Sequence, residues 1–155
     1  MKGISPIIAT ILLIVMTVAI AGLMYAWLSG MFSSLTQTTS SQVAQATQIT
    51  SFNVPKIFVS NGNIYAIIYN NGNVPVNTNN MTITAAEYYA SNNTYDGTTY
   101  ICSASSGIIA SGQQNTVTLS CNPSSLITNW NSGIYYYLFT FVYNGVSVQA
   151  TLPPP

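Results

Sequence analysis

The chain has 155 residues, zero formal net charge, no histidine and only 3% charged residues, against about 25% in an ordinary soluble domain. Its cations are Lys2 and Lys56 alone, which excludes a phosphate-binding basic patch and with it nucleic-acid binding. The 11 Tyr, 5 Phe and 2 Trp argue against disorder, and the length holds one long segment plus a domain of roughly 100 residues.

The first segment is residues 4–32, a charge-free apolar run interrupted only by Ser5, Thr10, Thr17 and Ser29. As a helix it is about 40 Å long, enough to cross a hydrocarbon core of about 30 Å. It has no polar face, so lipid or protein must surround it on every side. Lys2 immediately before it is the positive-inside arrangement and puts the N-terminus in the cytoplasm. The apolar run is too long for an ordinary secretory signal. Ser5 and Pro6 suit the cap and first position of the helix, and Thr10 and Thr17 can return their hydroxyls to the preceding turn. Ala19, Gly22, Ala26 and Gly30 share one side, the small-residue spacing of helices whose backbones approach closely. Tyr25 and Trp27 suit the outer membrane boundary.

Lys2-Gly3 before Ile4-Ser5-Pro6-Ile7-Ile8-Ala9-Thr10-Ile11-Leu12-Leu13 closely resembles the N-terminus of archaeal type IV pilins and archaellins. The resemblance covers about the first 30 residues. It implies a class III signal peptide, cut by a prepilin peptidase on the cytoplasmic side between Gly3 and Ile4, with Lys2 as the basic residue before the cut. It also implies an assembly ATPase and a membrane platform protein as partners. The product would be a homo-oligomeric helical filament at the cell surface, its subunits held in the cytoplasmic membrane before assembly. The length leans towards a pilin, since archaellins are usually longer. The alternative from another class is a single-pass anchor displaying a binding module.

Residues 33–51 turn to Ser, Thr and Gln. Such a stretch reads as a linker or glycosylated stalk, or as a continued helix, since Phe32, Leu35, Val43, Ala46 and Ile49 fall near one side and no Gly or Pro lies between Gly30 and Pro55. We expect the helix, to about Ile49, with packing against neighbours to hold so many indifferent helix formers. The organisation expected is thus a leader (1–3), a helix (4–50) and a β domain (51–155).

In the β domain the sequence predicts strands over 55–60, 63–70, 81–90, 98–104, 116–121, 134–143 and 146–152. Asn61-Gly62 and Asn144-Gly145 are strong hairpin signals, Asn70 to Pro75 reads as a turn, and 134–143, the most apolar strand, is expected at the centre. The fold class is α+β: a long N-terminal hydrophobic helix followed by an immunoglobulin-like β-sandwich. Cys102 and Cys121 read as a disulfide outside the membrane, or as two free thiols. Closure of a loop of about 20 residues would add about 3 kcal/mol in the chain-entropy model. Two cysteines without histidine are too few for a zinc site. Asn80-Met81-Thr82 and Asn92-Asn93-Thr94 are N-glycosylation sequons.

Chemistry is sparse. Glu87 and Asp96 are the only side-chain carboxylates, and nothing beyond their presence suggests a paired-carboxylate hydrolase. Without histidine there is no Ser-His or Cys-His nucleophile pair. Glu87 and Lys56 can form a surface ion pair worth under about 1 kcal/mol. The expectation is a structural subunit with no enzymatic activity and no cofactor.

Overall fold

The computed structural model describes residues 4–155, apart from the side chains of residues 4, 41, 42 and 44–46. The chain forms two compact units, Met1–Thr47 and Gln48–Pro155.

The first unit is one helix, α1 (Ile4–Ala46), 43 residues long. It begins at Ile4, two residues before the Pro6 start that a Ser5 cap would give, so Ser5 and Pro6 lie inside the first turn. The first four N–H groups of a helix have no intrahelical acceptor, so proline costs nothing there. Thr10 and Thr17 donate their hydroxyls to the carbonyls of Ile7 (2.7 Å) and Ile14 (2.8 Å), as expected. The Ser/Thr-rich half is helical rather than a loose linker. Thr36, Thr39 and Thr47 return their hydroxyls to the carbonyls of Phe32, Leu35 and Val43, at 2.8, 2.8 and 2.9 Å. The helix stops short of Ile49 because the domain captures that residue's backbone. The Ile49 N–H donates to Asn73 Oδ1 (2.7 Å), and the Ile49 carbonyl accepts from the Asn73 N–H (3.0 Å).

The second unit is built on a seven-stranded antiparallel sheet. Its strands are β1 (Phe52–Ser60), β2 (Asn63–Asn70), β4 (Thr82–Tyr89), β5 (Tyr95–Ala104), β7 (Gln114–Asn122), β8 (Tyr135–Tyr143) and β9 (Val146–Leu152). Two-residue strands β3 (Val76–Asn77) and β6 (Ile108–Ile109) pair with each other, and a short helix α2 (Leu126–Asn131) precedes β8. The ladder order is β1-β2-β7-β5-β4-β8-β9. The end strands β1 and β9 lie beside each other, so one sheet curls into the two layers of a sandwich, close to a barrel. The class is α+β, as expected.

Period-2 alternation places the core. Ile64, Ala66 and Ile68 from β2, Ile83 and Ala85 from β4, and Tyr137, Phe139 and Phe141 from β8 point inward and are fully buried. The Asn61-Gly62 and Asn144-Gly145 turns have positive φ at both positions (50° and 75°, 47° and 79°), as two-residue hairpins of this kind require. Strand 134–143 is not central. It forms β8, one place from the edge, and β5 takes the middle. In a curled sheet every strand turns one face inward, so apolarity does not report position in the ladder. Strands β1, β5 and β7 also begin earlier than expected: β1 because Phe52 and Val54 join the core, β5 and β7 because ladder partners extend them through mainly polar residues.

Cys102 and Cys121 stand opposite each other on β5 and β7 and form the disulfide. At the other side of the domain, the loop after β2 is cinched onto the incoming chain. The Gly72 N–H donates to the Ser51 carbonyl (2.8 Å), while Asn70, fully buried, donates its amide to the carbonyls of Val74 (2.8 Å) and Ile109 (2.9 Å). A Cβ on Gly72 would collide with the Ile49 carbonyl and lie 2.6 Å from the Ser51 nitrogen. Both obstacles are backbone and cannot swing away. Gly72→Ala should therefore cost at least the 1–3 kcal/mol (order of magnitude) typical of overpacking. A lowered denaturant midpoint of the detergent-solubilised chain would show it; an unchanged midpoint would mean that the loop yields freely.

Candidate functional site

The most unusual surface of the molecule is α1 itself. Every described side chain along it is exposed, including Leu23 (72%), Tyr25 (76%) and Phe32 (73%). Residues Ser5–Ser40 make a helix long and apolar enough to cross a membrane, with a mean hydropathy of 2.8 over its most apolar window. Ala19, Gly22, Ala26 and Gly30 are exposed, and a Cβ at Gly22 or Gly30 would meet nothing within 4 Å. Of the expected cleavage residues, Lys2 and Gly3 lie outside the described residues, and Ile4 is the first residue of α1.

The hydroxyls of this surface are turned inward. Besides those already named, Ser29 donates to Ala26 (3.2 Å), Thr38 to Ser34 (3.0 Å) and Ser40 to Gln37 (2.9 Å), each to a backbone carbonyl. A hydroxyl hydrogen satisfied within its own helix needs no water, and a threonine so bonded presents its methyl group. The threonines of this half of α1 are thus compatible with a dry contact, while Ser33, Ser34 and Gln37 are exposed beside them.

The second feature is a carboxylate that the sequence placed wrongly. Glu87 makes no surface pair with Lys56. It is 2% exposed, on the inward row of β4 after Ile83 and Ala85. Its Oε2 accepts from the Tyr137 hydroxyl, the Tyr100 hydroxyl (3.1 Å) and the Asn129 amide (3.2 Å). These donors come from β8, β5 and α2, so one oxygen ties three elements to β4. Lys56 instead lies exposed on edge strand β1, its ammonium 5.8 Å from the centre of the Phe58 ring.

Asp96 lies close by. Between Ala86↔Thr99 and Tyr88↔Tyr95, β5 carries two more residues than β4, and this bulge sets Asp96 beside Glu87. Gly97 supplies the positive φ of 94° within it. The Tyr89 hydroxyl donates to Asp96 and holds its carboxyl below the ordinary carboxylate range, while Asp96 pushes Tyr89 up to about 12. Thr98 adds a further bond to Asp96 (3.2 Å). Burial first, and then Glu87, raise Tyr137; burial is also the leading cause of the rise at Tyr100. The two carboxylates are neighbours, and two tyrosine hydroxyls and an amide take up one oxygen of Glu87. Among the described residues no three His, Cys, Asp or Glu side chains converge to hold a metal.

Sequence reasoning missed this cluster. The alternation Met81, Ile83, Ala85, Glu87 was the available signal, since it puts Glu87 on the buried face. Its donors carry no such signal, being 13, 42 and 50 residues away.

The sequence matches no family model, and no curated protein matches it. Among solved structures it is similar to the archaellum periplasmic stator protein FlaG from Sulfolobus acidocaldarius. The identity is 15% and the TM-score 0.48, over 67% of this chain and 100% of that one. It is also similar to a chain of the FlaF–FlaG stator complex of the same organism, with 14% identity and a TM-score of 0.44 over 67% and 90%. Likeness at this distance carries no argument about family or function.

The pH dependence follows from the cluster. A tyrosine raised in the folded state stabilises the fold fully below its unfolded value of about 10, and that contribution is lost as pH climbs through the folded value. For Tyr89 the loss falls between the ordinary value and about 12. Asp96, held low, contributes above its unfolded value of about 4 and loses that contribution as pH falls further. Through these groups, denaturant midpoints of the solubilised chain should be level from about pH 5 to 9 and fall at both extremes. Glu87→Gln should let Tyr137 ionise at lower pH, read from tyrosinate absorbance. Glu87→Leu, which strands two buried hydroxyls, should cost about 1–3 kcal/mol for each. A Leu variant as stable as the native chain would show that the carboxylate holds nothing together.

Proposed function

We propose that the chain is the structural subunit of a cell-surface filament of the archaeal type IV pilin kind, with no catalytic role. The helices of many copies form the filament core, and the β domains cover it. The observation that carries this reading is the exposure of a 43-residue, largely apolar helix along its described length, in a chain whose second unit has its own buried core. The N-terminal resemblance around Lys2, Gly3 and Ile4 supports it.

The helix suits two environments in succession. In the bilayer its neighbours are lipid, so entering a helix bundle gains little hydrophobic free energy, and close backbone packing has to select the partner. The small side chains of Ala19, Gly22, Ala26 and Gly30 allow that approach. Once a filament stands in water, releasing a subunit exposes large apolar side chains at roughly 1.5–3 kcal/mol each, which makes spontaneous disassembly negligible. A prepilin peptidase, an assembly ATPase and a membrane platform protein are the machinery this route requires. A lone anchor carrying a β module is the competing reading, and it has no use for a small-residue face.

Two measurements test the proposal. Mass spectrometry of the mature chain should find it starting at Ile4, and Gly3→Val should block that cut; a filament subunit that keeps Met1 would refute the processing. Gly22→Leu then separates filament from anchor. The change raises apolarity, and it improves helix propensity by somewhat under about 1 kcal/mol, so membrane insertion is preserved. In a packed core the added isobutyl group costs about 1–3 kcal/mol in every subunit. The expected result is normal membrane protein by immunoblot and few or no filaments by electron microscopy. Filaments of native number and length would sink the packing argument.

A further inference from the structure

The two sequons, indistinguishable as sequence, are built differently. Asn80 ends a 3-10 turn (Thr78–Asn80). Met81 follows it into the core at 7% exposure, with its N–H donating to the Thr78 carbonyl (3.3 Å). Thr82 opens β4 opposite Val142 of β8, on a strand with ladder neighbours on both sides. An enzyme that grips the Asn-x-Thr backbone would have to draw Met81 from the core and unzip the start of β4.

Asn92, Asn93 and Thr94 are all exposed, in the turn between β4 and β5 and outside both strands. The Thr94 N–H (3.1 Å) and the Thr94 hydroxyl (2.7 Å) both donate to Asn92 Oδ1. Two donors on one amide oxygen draw electron density towards it and make the Nδ2 protons easier to remove. That is the electronic change an amide nitrogen needs before it can act as a nucleophile, and it explains why a hydroxyl two residues along matters. Asn93, with φ of 57°, turns the backbone so that residue 94 can reach back. No hydrogen bond from Thr82 to Asn80 accompanies the first sequon among the described residues.

We propose that Asn92, and not Asn80, is the N-glycosylation site of this chain, taking its glycan from a polyisoprenyl-phosphate-linked donor on the outer face of the membrane. A bond forms between Nδ2 and the anomeric carbon, and the bond from that carbon to the carrier's phosphate oxygen breaks. The electron pair leaves with the phosphate, which also takes up the Nδ2 proton, so no oxidant or reductant is needed. The inference rests on the outward placement of the β domain in the function proposed above.

The test is glycopeptide mapping of the full chain, recovered from membranes and filaments together and digested without reduction. Chymotryptic cleavage after Tyr88 or Tyr89 separates the two sequons. The expected result is a glycan mass on the Asn92 peptide only. It should be lost completely in Asn92→Gln and in Thr94→Ala, retained in Thr94→Ser and unchanged in Asn80→Gln. A glycan on Asn80, or a bare Asn92 in a chain whose Cys102–Cys121 bond is formed, overturns the inference while leaving the outward placement intact. A bare Asn92 with both cysteines reduced overturns the outward placement and this inference with it.

Discussion

A helix whose residues 4–32 have no polar face has to find neighbours that are not water, and the make-up of α1 follows from that constraint. Helix α1 meets it by closing its own polarity. Its backbone is satisfied internally, and eight hydroxyls between Thr10 and Thr47 bond to carbonyls a turn back. Along residues 5–32 what remains outward is largely hydrocarbon, with short gaps where glycine and alanine stand, while Ser33, Ser34 and Gln37 are exposed on the second half. Such a surface suits lipid and a bundle of identical helices alike, as the proposed filament role would require.

The β domain solves a different problem: folding with almost no charge. It cannot use surface ion-pair networks, so it relies on a curled sheet, one disulfide and neutral hydrogen bonds. Among the described residues no buried side-chain nitrogen or oxygen lacks a partner. The fully buried Asn70 and Thr78 carry the loops. Asn70 bonds Val74 and Ile109, and Thr78 donates to the carbonyls of Ser105 (2.7 Å) and Gly107 (3.1 Å). Among the described residues Glu87 is the one buried residue of a charged type, surrounded by hydroxyl and amide donors rather than by a cation. A buried carboxylate removed from its donors would be costly, so its cage fixes β4, β5, β8 and α2 relative to one another. Trp130 adds a second tie on α2, donating its indole N–H to the Pro153 carbonyl (2.7 Å). Both carboxylates, Glu87 and Asp96, are engaged by tyrosines, and the outer surface is made mostly of neutral polar side chains.

Much of this architecture was legible in the sequence, because it depends on local chemistry. An uninterrupted apolar run is a helix needing apolar surroundings, whatever else the chain does. The β-rich runs 63–70 and 134–143 mark strands, and the Asn-Gly pairs mark turns because few other residues accept two positive φ values in succession. The cysteine pair, in a chain with no histidine, left only the choice between a disulfide and free thiols. What only the tertiary structure decided are the relations that local chemistry does not encode. The ladder order put β5 rather than β8 in the middle, since a closing sheet buries one face of every strand alike. Ile49 left the helix because Asn73, 24 residues on, offered it better partners. Glu87 went inside rather than to Lys56 because three donors from distant strands and a helix converged on one oxygen. Burial of a polar group is settled by who surrounds it, and that is a property of the fold.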